Sequence, residues 1–251
     1  MKTKATFFRI SVGSIILLLI SYLVYYHYGN FFGADLMSDK TPDEQVVIMR
    51  GNYKEGKTKQ ILKSFVSKKF KYDIAAYESM IENAPKATEI LKVHFIQIND
   101  PDILSRSGLN NFKGKLYLAF EYVDKMDNKL GNAFILDENS NPFLINKELA
   151  DLKQNYITNI ASLIHLPSKK NTEYIMISLV SLKNHLGKIK EKDKFIISPQ
   201  KVEFELTEEY DPITIINNGQ LTFFTNIRSI LGKISDLSEY NMNSLCPQQC
   251  P

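Results

Sequence analysis

Gly51-Asn52-Tyr53-Lys54-Glu55-Gly56-Lys57-Thr58 spells the P-loop pattern G-x-x-x-x-G-K-T letter for letter. In that motif a glycine-rich backbone cradles phosphates, the lysine reaches the β- and γ-phosphates, and the threonine hydroxyl sits on magnesium. Gly51, Gly56, Lys57 and Thr58 would carry the chemistry, and Asp137, after the apolar run Ala133-Phe134-Ile135-Leu136, would orient the metal. Such a loop has to follow a strand and open a helix. Thr41-Pro42-Asp43-Glu44 is instead a capping box with proline at the first helical position, so a helix is predicted just ahead of Gly51, ending there. Tyr53, Lys54 and Glu55 are bulky where a phosphate loop folds tightly, and Glu55 would set a carboxylate against phosphate oxygens. The residues favour a helix–loop–helix connection with no cofactor. A membrane-anchored nucleotide-binding protein with a cytoplasmic body is the alternative.

Asp137-x-Asn139-x-Asn141-Pro142, with Glu148 further on, imitates a calcium loop except at its sixth position. Glycine makes the sharp turn there, and proline, with φ held near −65°, does not. A polar hairpin tip is expected, and no metal site. Cys246 and Cys250 are candidates for a local disulfide in an oxidising compartment; their three-residue spacing is neither the redox nor the zinc pattern. His94, His165 and His185 are scattered, and no G-x-S-x-G, H-E-x-x-H or Cys–His arrangement occurs. Lys54, Lys57, Lys59, Lys63, Lys68, Lys69 and Lys71 interleave with Ile61, Leu62, Phe65 and Phe70. This run suits anionic headgroups or an acidic partner, or else is a solvated helix face, which the neutrality of the body favours.

Lysines and arginines number 31 against 28 acids in 251 residues. Lys2, Lys4 and Arg9 supply the excess, so residues 10–251 carry no net charge. A body built to neutralise many phosphates needs a cationic surplus, so no nucleic-acid partner is expected.

The elements that position these residues begin with Ile10–Tyr26, an uncharged, mostly apolar run of 17 residues. Extended by Thr6–Phe8 and by the aromatic residues up to Phe32, it reaches the length of about 20 residues that crosses a bilayer as a helix. A cleaved signal peptide would need small residues before the cut, and Gly33-Ala34 is the only weak site. Positive charge precedes the run, while Asp35, Asp39, Asp43 and Glu44 come after it. The positive-inside rule then leaves residues 1–9 cytoplasmic and exports the body beyond the run. The expected order is anchor and interface over 10–32, linker over 33–40, an extracytoplasmic domain over 41–245 and a Cys-Pro tail over 246–251. The lack of an N-x-Ser/Thr sequon leans towards a bacterial envelope, periplasmic in that case.

Within the domain, residues 41–84 read as a helical subregion, with helices over Lys57–Phe70 and Tyr72–Asn83, and residues 87–235 as β-rich. Strands are expected over Ile90–Ile98 and, half-buried, over Leu116–Tyr122; Ala133–Leu136 and Phe143–Ile145 form a hairpin. Leu149–Leu163 and Ile175–Ile189 carry helical periods that would pair as an antiparallel hairpin, although Tyr174–Val180 also reads as a strand. Val202, Phe204 and Leu206 alternate with polar residues, and Asn218-Gly219 predicts a type I′ turn between Ile213–Asn217 and Gln220–Phe224. The class is α+β, with antiparallel hairpins interrupted by a helix pair. The expected role is a non-catalytic structural or interaction subunit of an envelope assembly, with the membrane and other envelope proteins as partners.

Overall fold

Apolar, β-branched and aromatic residues concentrate in β2 (Ile90–Gln97) and β3 (Leu116–Val123), which pair antiparallel from Ile90 opposite Val123 to Gln97 opposite Leu116. In this computed structural model, residues 43–66, 70–164, 171–193, 200–208, 220–229 and 244–246 are described. The apolar run over 10–32 and the linker over 33–40 lie outside the described residues. Among the described residues no helix is long and apolar enough to cross a membrane.

The class is α+β, with two antiparallel sheets. The larger has the order β5-β4-β3-β2-β6-β9, where β4 is Phe134–Leu136, β5 Pro142–Leu144, β6 Tyr174–Ser178 and β9 Ser244–Cys246. The smaller has the order β1-β7-β8, formed by Phe70–Asp73, Gln200–Glu208 and Leu221–Ser229. Among the described residues six α-helices accompany them: α1 (Asp43–Glu55), α2 (Lys57–Leu62), α3 (Ile74–Glu82), α4 (Pro101–Arg106), α5 (Leu149–Asn159) and α6 (Leu179–Asp193).

The core joins the two sheets through aromatic rings. Phe204 meets Phe223 edge-on at 5.0 Å between centroids and Tyr72 at 5.8 Å, and lies 6.3 Å from Phe120. Phe120 in turn stacks on Phe134 at 5.5 Å. Two of the hydroxyls that enter this core find carbonyl acceptors: Tyr117 donates to the Leu136 carbonyl and Tyr122 to that of Met80.

Several expectations are corrected. β3 is a central strand buried on both faces, Tyr117 and Ala119 included, so its apolar alternation understates its burial. The helix expected over Lys57–Phe70 stops at Leu62, and Phe70 and Tyr72 belong to β1 inside the subregion read as helical. Buried Phe70 and Tyr72 flank exposed Lys71, a period of two that pairing with Phe204 and Val202 selects over the helical reading. Helices form over Leu149–Asn159 and Leu179–Asp193, but a strand separates them: Tyr174–Ser178 is buried at Ile175 and Ile177 and paired to β2, so the second helix, α6, starts directly after it and not at Ile175. Leu221–Phe224 pair with Glu205–Glu208, while residues 213–219 of the expected type I′ hairpin lie outside the described residues. Ser244–Cys246 pair with Met176–Tyr174, so the segment read as a tail begins inside a sheet.

The β4–β5 hairpin forms as read, with Phe134 opposite Leu144. Its tip is closed by Asp137, whose carboxylate accepts the amides of Asn139 and Asn141, and by Ser140 at φ 64°. Pro142 falls on the terminal strand of the sheet order, where a missing N–H costs least.

Phe204→Ala should lower stability by about 3–5 kcal/mol, the usual range for deleting a core phenyl ring. Urea denaturation of the two proteins measures this, and a loss below about 1 kcal/mol would mean that the sheets do not meet at this ring.

Candidate functional site

The eight residues of the P-loop pattern do not form a loop. Asp43–Glu55 is one continuous helix, so it runs past Gly51, which was expected to end the helix that the capping box begins. The chain breaks at Gly56, whose amide still bonds the Asn52 carbonyl at 2.7 Å and whose ψ of 163° turns the backbone into α2. Lys57 opens α2, and its side chain lies outside the described residues. Thr58 is buried, and its hydroxyl hydrogen-bonds Glu208 of β7.

Carboxylates face this stretch. Arg50 of α1 pairs with Glu205 at 2.6 Å, its guanidinium lying 5.7 Å from the Phe224 ring centroid. Burial pushes the Tyr53 hydroxyl up to about 12, with the negative charges of Glu208 and Glu205 adding to the effect. Burial also raises Glu208, against the hydrogen bond from Thr58. A nucleotide's phosphates would meet acids here and a helical backbone whose amides bond their own turns. Gly56 is required for packing: a Cβ there would overlap the Asn52 carbonyl oxygen and approach Glu208 Oε1 to 3.1 Å. Asp137, the expected metal-orienting acid, is committed to the hairpin tip. Cys246 ends β9 opposite Tyr174, and Cys250 lies outside the described residues.

A second cluster, not anticipated from the sequence, sits on the central strands. Lys92 and His94 lie two residues apart on β2, with Glu121 of β3 opposite Lys92 and Tyr174 of β6 opposite His94. His94 Nε2 lies 3.1 Å from Glu121 Oε2, while Glu121 Oε1 takes Lys129 at 3.2 Å. Lys92 pairs with Asp127 at 2.7 Å and stands 4.3 Å over the Tyr174 ring, which also packs on the imidazole at 5.6 Å. His94 is 1% exposed, and its Nδ1 is a buried nitrogen with no hydrogen-bond partner.

Burial holds the His94 imidazole below its ordinary pKa; the charges of Lys153 and Lys92 push the same way, and Glu121 pulls against them. Glu121 is held down to about 2, chiefly by the hydrogen bond from His94. The pair is therefore a neutral imidazole donating Nε2–H to a carboxylate. A carboxylate-oriented imidazole is suited to taking up a proton at Nδ1, but here it is closed to solvent and wedged between charges that already balance. Its chemistry is that of a packed polar network. The register brings these residues together, and only Lys92-x-His94, two polar residues on one side of an apolar strand, signals them locally. His185, also buried, meets the Tyr77 hydroxyl at 3.0 Å between α6 and α3; His165 lies outside the described residues. Among the described residues no three His, Cys, Asp or Glu side chains group to hold a metal ion.

Gly56→Ala should destabilise the fold by about 1–3 kcal/mol, because backbone must move to admit the methyl group. Gly51→Ala, with nothing within 4 Å of the added carbon inside a helix, should stabilise it by about 0.5–1 kcal/mol. Urea midpoints of the two variants test the pair, and the same sign for both would contradict the helical path through Gly51.

His94 also makes stability depend on pH. Its folded pKa lies below the unfolded value near 6.5, so the unfolded chain protonates first and stability falls as pH drops through that value. The contribution of Glu121 is complete above its ordinary carboxylate range and fades as pH falls from there towards about 2. Urea titrations between pH 7.5 and 5.5, where Glu121 stays ionised, should show a decline that His94→Gln flattens (both limits chosen to bracket about 6.5). An unchanged slope in the variant would remove His94 from the pH response. No family model, no curated protein and no solved structure matches this chain.

Proposed function

We propose that the chain is a single-pass, membrane-anchored interaction subunit of a bacterial cell-envelope assembly, with a non-catalytic extracytoplasmic body. The observation that carries this reading is the uncharged run Ile10–Tyr26, with Lys2, Lys4 and Arg9 before it and Asp35, Asp39, Asp43 and Glu44 after it. The folded body is consistent with a docking role. Several of its charged groups pair with one another, as in Arg50–Glu205, Lys92–Asp127 and Lys129–Glu121. The stretch resembling a phosphate loop is helical and faces carboxylates.

The orientation is testable in cells. Mild reduction followed by a membrane-impermeant maleimide should label Cys246 or Cys250 in intact spheroplasts of a bacterial host. Labelling only after lysis would place the body in the cytoplasm and overturn this reading.

A further inference from the structure

The body is neutral as a whole, but its positive charge is not evenly spread. Residues 56–72 contain Lys57, Lys59, Lys63, Lys68, Lys69 and Lys71 and no acid; residues 107–120 contain Lys113 and Lys115 and no acid. The fold brings these two acid-free segments together. The Leu116 amide donates to the Phe65 carbonyl at 2.9 Å, and Lys115 Nζ donates to the Ser64 carbonyl at 2.7 Å. Lys59 and Lys63 stand one helical turn apart, the Lys63 amide bonding the Lys59 carbonyl at 2.9 Å. Lys113 lies two residues before Lys115. Lys59, Lys63 and Lys113 are exposed, and among the described residues no carboxylate pairs with any of these four lysines. Arg50, Lys92, Arg106, Lys129 and Lys201, by contrast, each have an acidic partner.

We infer that the ridge formed by Lys59, Lys63, Lys113 and Lys115 docks on the anionic phosphate headgroups of the membrane that anchors the chain. The inference rests on the anchored reading above and extends it to how the body sits on the bilayer. Two arguments select lipid as the occupant. Four ammonium groups that pair with no carboxylate among the described residues complement a surface of repeated phosphates, to which each lysine adds attraction. The tether is also short: from Phe32 to the start of α1 at Asp43 the chain spans at most on the order of 40 Å, so the domain is held at high effective concentration beside the headgroups.

The full chain, reconstituted in phosphatidylcholine vesicles or in mixed phosphatidylcholine–phosphatidylglycerol vesicles, provides the test. Lysine acylation read by mass spectrometry should show Lys59, Lys63 and Lys113 several-fold less reactive on the mixed vesicles. The exposed Lys125, Lys147 and Lys183 serve as internal references. High salt should remove the protection, and Lys59→Glu combined with Lys63→Glu should abolish it at Lys113. Equal reactivity on both vesicle types overturns the proposal. If native membranes nevertheless protect the ridge, its occupant is an acidic protein. Retention of the chain through an alkaline carbonate wash, with unchanged lysine reactivity, overturns only the headgroup contact. Release by that wash overturns the anchored reading and this contact with it.

Discussion

Because β2 and β3 are paired without interruption from Ile90–Val123 to Gln97–Leu116, every neighbour of this ladder inherits its register. β6 takes the free side of β2 and β4 the free side of β3, and both faces of the pair then have to be covered. Phe120, on that ladder, meets the second sheet through Tyr72 and Phe204, as Phe95 does through Phe223 and Tyr117 through Phe70. The same register sets Glu121 against Lys92 and diagonal to His94. A slip of one residue would turn the whole aromatic set away from the sheet interface and break the His94–Glu121 contact at once.

Glu121, Lys129, Lys92 and Asp127 illustrate how charges are tolerated around a buried imidazole, with Lys129 and Asp127 reaching solvent. Each charge has an opposite partner within 3.2 Å, and the imidazole remains neutral, so no net charge is buried. The arrangement resists change more than it adds stability, since removing one member would strand another. Around Glu205 and Glu208 the same logic holds at smaller scale: Arg50 neutralises the first, while burial and the Thr58 hydroxyl act in opposite directions on the second.

The features legible in the sequence were local. The capping box before α1, the alternation of Val202, Phe204 and Leu206, and the Asp-Glu-Asn-Ser-Asn-Pro hairpin tip depend on neighbours a few residues away, and their elements appear where read. Phe70–Asp73 was misread because four residues are too few to show a period against the helical spacing on either side, and its strand exists only through pairing with β7. Tyr174–Ser178 carried both signals, and β2 decided between them. The cluster around His94 was illegible for the same reason: Lys92, Glu121, Asp127 and Tyr174 are brought together by strand pairing and a loop, and no spacing in the chain records that. The P-loop pattern was legible as letters and misleading as structure, because Gly51 lies within a helix that continues to Glu55.

The pairing of β1 with β7 has a kinetic side. Phe70 and Tyr72 emerge early from the ribosome, while their partners Phe204 and Val202 emerge only after most of the domain has been made. Closing so long a stretch carries an entropic cost that no local contact offsets beforehand, and folds dominated by such pairings form slowly. If the domain is threaded across a bilayer behind its own tether, the larger sheet has all of its central strands before the smaller one can begin. Until then the side of Phe120 that meets Phe204 is uncovered, so the interval between completing β3 and delivering β7 is when this chain is most open to sticking to another copy or to a chaperone.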